Sequence, residues 1–163
     1  MECNKTLREL TNKKYTGEYI SYHNDGIIKA KYNFINGRKN GVCIFYYKSN
    51  ENVRKEINYV NNIKHGIYRE FYHNGSLKIE QHYANGKLNG NYKEFNYNGI
   101  LIFEKNYKDG KLDGKYKEWY ENGSIYIDCN YTKDKLNGIL QKWGENGQLM
   151  LESNYVKGVR VKC

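Results

Sequence analysis

Proline is absent from all 163 residues. Since proline is the residue that removes a backbone N–H from a β-ladder, every residue here can pair within a sheet, and no proline-rich linker divides the chain. The first residues hold no apolar stretch of the roughly 7–15 residues that a signal peptide needs, and no run approaches the ~18 of a membrane span. We therefore expect one continuous module with a cytoplasmic location.

Residue patterns typical of catalysis or metal binding are also missing. The histidines lie at four unrelated places, so no pair recurs at ligand spacing, and the cysteines form no Cys-x-x-Cys pair, which predicts free thiols. There is no Gly-x-Ser-x-Gly and no phosphate-binding loop. The sequence predicts a protein that is not an enzyme, with no catalytic residue, metal site, cofactor or small-molecule substrate. The residues concerned are His23, His65, His73, His82, Cys3, Cys43, Cys129 and Cys163.

Bulk hydrophobicity is low, and on its own it would indicate disorder. Hydrophobic residues make up 39% and the mean hydropathy is −0.96. Aromatic residues make up 15%, however, with 18 tyrosines at regular positions. Amphipathic rings suit a thin sheet whose faces stay partly wet, so we expect a folded β protein.

A repeat of about 24 residues organises the chain. Glycines at 17, 41, 66, 90, 114 and 138 each begin the same pattern. This periodicity predicts units that bury their apolar faces only by stacking on neighbours. The predicted units are 17–40, 41–65, 66–89, 90–113, 114–137 and 138–163, preceded by an N-terminal cap or tail over 1–16.

Each unit is predicted to be a β-hairpin. Positions 9–10, counted from the leading glycine, are Asn-Gly or Asp-Gly in five of six units, a strong hairpin signal. The second strand alternates in polarity, and position 21 carries a second turn residue such as Gly86. The predicted fold class is all-β: an elongated, single-sheet antiparallel meander of six hairpins.

Two hairpin registers compete. A two-residue loop would pair position 7 with position 12, whereas a three-residue loop with a bulge pairs Phe71 with Leu77. We favour the bulge because it gathers the position-6 ring, the aliphatics at positions 12 and 14 and the position-18 ring on one face. The position-3 tyrosines would then line the opposite face.

Two features have alternative interpretations. The second unit lacks Asn-Gly and has the longer segment 48–52, which is either drift in a tolerant loop tip or a projecting contact loop. Rows of carboxylates at positions 5 and 15 are either a cation site or, as we favour because lysine and arginine lie at adjacent positions, a solvated mixed-charge ladder.

The pattern Gly-x-Tyr-x-x-aromatic-Tyr-x-Asn-Gly-x-Leu, followed by Tyr-x-x-Gly-Lys-Leu-x-Gly, resembles the MORN repeat. It is similar to the variant found in bacterial proteins labelled YwqK-family antitoxins and in repeat proteins of large DNA viruses, and it covers residues 17 to about 162. The resemblance implies a scaffold, a membrane-associated protein or an antitoxin-like inhibitor, located in a host cell or virion if the source is viral.

The leading hypothesis is a scaffold for protein–protein interaction that presents a ladder of tyrosines, although the same rings have an alternative role in covering the sheet. The alternative function is binding to an anionic surface, membrane headgroups or nucleic acid, through the basic first two units. Oligomers through the terminal sheet edges are a further expectation. The candidate protein-binding residues are Tyr19, Tyr68, Tyr92 and Tyr116, and the candidate anion-binding residues are Lys29, Lys31, Arg38 and Lys39.

Overall fold

A computed structural model describes Thr11 and residues 14–161. Residues 14–161 contain no helix and form one antiparallel meander sheet of fifteen strands, which confirms the predicted fold class. The first eight strands are β1 (Gly17–Tyr22), β2 (Ile28–Ile35), β3 (Arg38–Lys39), β4 (Gly41–Tyr46), β5 (Val53–Val60), β6 (Ile63–Phe71), β7 (Leu77–Ala84) and β8 (Lys87–Phe95). The others are β9 (Leu101–Lys108), β10 (Lys111–Trp119), β11 (Ile125–Thr132), β12 (Lys135–Leu136), β13 (Gly138–Trp143), β14 (Leu149–Val156) and β15 (Val159–Val161).

The hairpins close as three-residue loops with a bulge. Tyr72 N–H donates to the carbonyl of Ser76 over 2.8 Å, and Gly75 occupies the left-handed region with φ +86°. Phe71 pairs with Leu77, while Glu70 pairs with Ile79. The predicted three-residue register is therefore confirmed, and the same displacement recurs in every unit.

The predicted grouping of side chains on the two faces is wrong. The Tyr68 and Tyr83 rings, placed on opposite faces by the sequence argument, lie 6.2 Å apart on the same face. Between the pairs Glu70–Ile79 and Phe71–Leu77, Lys78 has no partner and is the extra residue of the bulge. An extra residue shifts the alternation by one, which moves the Phe71–Leu77 pair to the face opposite Ile79.

Two faces follow from this register. The tyrosine face carries positions 3, 5, 14, 16 and 18 of each unit, because the strand pairing joins position 3 to 16 and position 5 to 14. The charged face carries positions 4 and 15, which pair with each other as Arg69 does with Glu80. Position 6 lies on the charged face.

The leading glycine makes room for a side chain of the previous unit. Gly114 has φ +113°, and a Cβ added there would lie 3.0 Å from Cβ of Asn106, which is the position-17 residue of the preceding unit. Only glycine combines this backbone conformation with that close approach. At Gly114, glycine is thus required both by packing between strands and by its positive φ, whereas a Cβ on Gly138 would meet nothing within 4 Å.

A small core lies at the N-terminal end of the tyrosine face. Ala30, Tyr32, Phe34 and Cys43 are buried there, and the Tyr15 ring packs at 6.3 Å against Phe34. Of the N-terminal cap or tail expected over 1–16, only Thr11 and residues 14–16 are described; the rest lies outside the described residues.

Tyrosines at position 7 link consecutive units. Their hydroxyls donate to the carbonyl of the position-6 residue of the next unit, over 2.8 to 2.9 Å. The three bonds are Tyr47 to Phe71, Tyr72 to Phe95 and Tyr120 to Trp143. In the fourth unit the position is Asn96, whose side chain instead accepts from the Ile100 amide of its own hairpin.

Candidate functional site

The predicted binding tyrosines occupy equivalent positions on β1, β6, β8 and β10. The structure brings Tyr68, Tyr92 and Tyr116 together in three consecutive units, whereas Tyr19 is separated from them by the second unit, where Cys43 takes the position. Tyr68 is buried and the other three are half-buried. The row therefore belongs partly to the packing of the sheet and partly to its surface.

Each of the three consecutive tyrosines contacts the position-18 ring of its own unit. The ring centroids are 6.2 Å apart for Tyr68–Tyr83, 6.2 Å for Tyr92–Tyr107 and 5.4 Å for Tyr116–Tyr131. Edge-on and tilted ring pairs of this kind hold both partners in place. The result is a double row of rings with restricted side-chain freedom.

The hydroxyls of these tyrosines donate to the glutamate two residues later. Residues i and i+2 of a strand share a face, so Tyr68 reaches Glu70 over 2.7 Å and Tyr92 reaches Glu94 over 2.6 Å. Tyr116 donates to Glu118 in the same way. Burial, and then these bonds, raise the pKa of the three hydroxyls well above its ordinary value.

Glu70 differs from the other two glutamates because Lys55 pairs with it at 3.1 Å. Burial acts against the charged carboxylate, but the hydrogen bonds from Tyr68 and Lys55 together hold the pKa of Glu70 below its usual value. In the part of the chain that the structure describes, neither Glu94 nor Glu118 has a cation within 4.0 Å. These two carboxylates are ionic acceptors on a half-buried surface.

Lys105 lies between those two carboxylates and over three rings. Its Nζ is 4.2 Å from the centroid of Phe103 and 5.3 Å from those of Tyr92 and Tyr116. Burial lowers the pKa of Lys105, although Glu94 and Glu118 act in the opposite direction. The ammonium group of Lys105 thus lies against aromatic rings at the centre of the tyrosine face.

A shallow pocket of about 380 Å³ ends the face between the fifth and sixth units. Leu140 takes the place of the position-3 tyrosine there and lines the pocket together with Cys129. Burial raises the pKa of the Cys129 thiol to about 11, which makes it a poor nucleophile. The lining residues are Tyr116, Glu118, Ile127, Cys129, Tyr131, Leu136, Leu140, Lys142, Leu151 and Tyr155.

The mixed-charge ladder predicted for positions 5 and 15 is confirmed for position 15 on the charged face and is wrong for position 5, which lies on the tyrosine face. Arg69 pairs with Glu80 at 2.8 Å, Lys93 with Glu104 at 3.6 Å and Lys117 with Asp128 at 2.7 Å. Within the described residues, no group of three or more His, Cys, Asp or Glu side chains is arranged to hold a metal ion. Glu80, Glu104 and Asp128 are therefore paired with cations of the same face, while Glu152 accepts from the Gln141 amide.

The four candidate anion-binding residues do not form one patch. Lys39 pairs with Phe34 on the tyrosine face, and its Nζ lies 5.2 Å from the Tyr32 ring centroid. Lys31 follows Ala30 directly and lies on the opposite face, Arg38 lies at the turn after β2, and Lys29 is the unpaired residue between Ile28 and Ala30. The structure brings only Arg38 and Lys39 together, as neighbours in β3.

The longer loop of the second unit contacts the hairpin tips on both sides of it. Lys48 pairs with Asp25 at 2.9 Å, and Ser49 Oγ lies 2.6 Å from Nε2 of His73. Asn50 and Asn52 side chains donate to the His73 carbonyl over 2.7 and 3.1 Å. The longer loop therefore packs against the hairpin tips of the first and third units and does not project away from them.

Sequence reasoning named the glutamates at position 5 but assigned them to the mixed-charge ladder, and it missed the pocket. The recurring Tyr-x-Glu in the third to fifth units was the available signal for the glutamates, since i and i+2 share a face. The leucine in place of tyrosine at position 140 was the signal for the pocket.

Comparison with known families identifies the repeat. The family model described as the MORN repeat variant matches residues 15–36, 64–85, 88–109, 112–133 and 136–157, well over half of the chain. The second unit, which has the longer loop, is not among the matched segments. No curated protein matches the chain. Among the described residues, no helix has both the length and the apolar character needed to cross a membrane.

Because the family model matches well over half of its residues, the chain belongs to the MORN repeat variant family.

Proposed function

We propose that this protein is a non-enzymatic scaffold that binds another protein through its tyrosine face. MORN repeats are commonly scaffolds that bind proteins or membranes. The observation that carries the proposal is the double row of tyrosine rings across the third to fifth units, half-buried apart from Tyr68, which ends in a pocket of about 380 Å³. Tyrosine supplies large contact area at low entropic cost, and these rings are already held by ring pairs and hydrogen bonds.

The order of charges along the face supports a partner of defined polarity. Strand pairing places Lys55, Glu70, Glu94, Glu118 and Lys142 in one line across the sheet, with aliphatic or aromatic residues between the last four. A hydrogen-bond donor of the partner would meet Glu94 and Glu118 beside Lys105, and an apolar side chain beyond it would enter the pocket. Anchors in a well-packed pocket contribute most of the affinity in many interfaces.

The experiment compares two aliphatic residues of the sixth unit that lie on opposite faces. Leu151 lines the pocket with 37% of its surface exposed, and Ile139 is 53% exposed on the charged face. Leu151→Arg and Ile139→Arg introduce the same charge and volume, and both variants should melt close to the wild type because both sites are open to solvent. Each protein is used to capture binding proteins from its native cell.

We expect a partner that the wild type and Ile139→Arg retain and that Leu151→Arg loses by at least about tenfold. A partner retained equally by all three proteins, or lost equally by both variants, would contradict binding through this face. A partner lost only with Ile139→Arg would move the interface to the charged face.

A further inference from the structure

The two long edges of the sheet differ in charge. In an antiparallel meander, alternate connections lie at opposite edges, so all hairpin tips share one edge and all turns between units share the other. We define the turn edge as residues 35–40, 60–65, 84–89, 108–113, 132–137 and 156–161. The tip edge is residues 23–27, 47–52, 72–76, 96–100, 120–124 and 144–148.

The turn edge is strongly basic and the tip edge is acidic. The turn edge holds ten Lys or Arg against three Asp, a net charge of +7. The tip edge holds one Lys against four Asp or Glu, a net charge of −3. Most of the excess positive charge of the protein is therefore carried by one edge, although it is spread over all six units in sequence.

The cations of the turn edge are unpaired. Within residues 14–161, none of the ten has a carboxylate within 4.0 Å, whereas Lys48, the single lysine of the tip edge, pairs with Asp25. Eight of the ten are exposed, and the other two, Lys39 and Lys64, lie over tyrosine rings at the margin of the tyrosine face. Most of these charges are open to an external anion.

Two of the three carboxylates at this edge serve the backbone. Asp134 Oδ1 accepts from the Leu112 amide over 2.8 Å, and Asp113 Oδ2 accepts from the Lys133 amide over 3.3 Å. Asn62 Oδ1 accepts from the Lys39 amide in the same way, from one turn to the next. These aspartates are turn-linking acceptors, and they leave the neighbouring lysines without partners.

The shape of the edge selects the kind of anion. Successive turns are two strands apart, about 10 Å, and the twist of a sheet rotates them by roughly 40–50° per step. Six turns therefore wind around the long axis, and a flat membrane would touch only a few of them. We propose that the turn edge binds the phosphate backbone of single-stranded nucleic acid, independently of base sequence. Such a chain is flexible enough to follow the winding line of cations.

The test uses a fluorescent single-stranded oligonucleotide of mixed sequence and measures anisotropy at several salt concentrations. The variant replaces Lys87, Lys111 and Lys135, the exposed lysines that follow three successive turns, with glutamine. The matched control replaces Lys48, Lys93 and Lys117 with glutamine, which changes the net charge by the same amount. These three lysines lie outside the turn edge and are ion-paired. Thermal melts establish that both proteins are folded.

We expect the wild type to bind with a steep salt dependence. The turn-edge variant should bind at least about tenfold more weakly at low salt, with a log–log salt slope that is smaller by about 2, since each phosphate contact contributes about 0.7 for single strands. The control should stay within about threefold of the wild type. No binding at low ionic strength, or equal loss in both variants, would overturn the proposal.

Two further measurements separate nucleic acid from other anionic partners. Flotation with vesicles of phosphatidylcholine and phosphatidylserine should show weaker binding than the oligonucleotide; vesicle binding that is stronger and equally dependent on the three lysines would assign the edge to a membrane instead. Sedimentation of the wild type at low salt should show no self-association that depends on the three lysines. Such association would mean that the turn edge meets the acidic tip edge of a second copy, and it would also overturn the proposal.

Discussion

Gly114→Ala and Gly138→Ala separate two reasons for the glycine that opens each unit. Both glycines have positive φ, +113° and +103°. A Cβ on Gly114 would lie 3.0 Å from Cβ of Asn106, whereas a Cβ on Gly138 would meet nothing within 4 Å. Gly114→Ala therefore combines an unfavourable backbone conformation with a steric clash, whereas Gly138→Ala introduces the unfavourable backbone conformation alone.

The magnitudes follow from these two terms. A non-glycine residue held in a sparsely populated region costs about 1–3 kcal/mol, and this applies to both variants. Carbon atoms pack without repulsion at about 3.5–4.0 Å, so Gly114→Ala must also displace Cβ of Asn106. Because this atom is attached directly to the backbone, it cannot move by a side-chain rotation, and we expect the displacement to cost about 1–3 kcal/mol. We expect Gly114→Ala to be the less stable variant by at least about 1 kcal/mol.

Urea unfolding followed by circular dichroism checks this, together with the melting temperature, which should differ between the variants by about 2–4 °C per kcal/mol. Equal destabilisation by both substitutions would show that Asn106 does not require the glycine. Native stability in both variants would refute the backbone argument as well.

The remaining predictions concern tyrosines. Tyr72→Phe removes the 2.9 Å hydrogen bond to the Phe95 carbonyl and should lower the free energy of unfolding by about 0.5–1.5 kcal/mol. Tyr97→Phe, at a residue that is 56% exposed, is the control and should change this free energy by less than about 0.5 kcal/mol. Urea unfolding of both variants measures the difference. The raised pKa values of Tyr68, Tyr92 and Tyr116 mean that folding favours their neutral hydroxyls, so this contribution is fully present below the ordinary tyrosine pKa of about 10 and is lost as the pH rises above it. Urea midpoints measured on either side of pH 10 should show this fall, and a smaller one in Tyr92→Phe; equal falls in both proteins would contradict the assignment.

The sequence predicted the meander, the turns and the pairing of Phe71 with Leu77, because each depends on residues within one unit. It did not predict the faces, although the chosen register was right. A bulge inserts Lys78 into the second strand, and one extra residue reverses the side on which all later residues of that strand lie. The sequence could have placed Tyr83 on the same face as Tyr68 only if the position of this extra residue had been known.

Other features depend on contacts between units and were harder to predict. The Tyr72 hydroxyl bonds a carbonyl 23 residues away, and only three units have tyrosine at that position followed by such a bond, so no strict period marks it. The loop of the second unit contacts His73 and Asp25, which belong to the units on either side. Periodicity identifies what the units share, and these contacts involve what they do not share.

The same distinction bears on recognition. Position 16 lies at the middle of the tyrosine face, where it pairs with position-3 residues in every unit. The residues there are Tyr32, Ile57, Gln81, Lys105, Cys129 and Ser153. They share no chemistry, yet the strands that carry them superimpose in pairing and in turn geometry, which means that the fold does not require any particular side chain at this position. Only Gln81 and Lys105 among these residues are half-buried, so a partner lying along the face would meet an amide and a cation there, followed by the pocket. If the tyrosine face binds a protein as proposed, we expect its selectivity to come from residues that depart from the repeat, while the repeated tyrosines and glycines hold the strands in place.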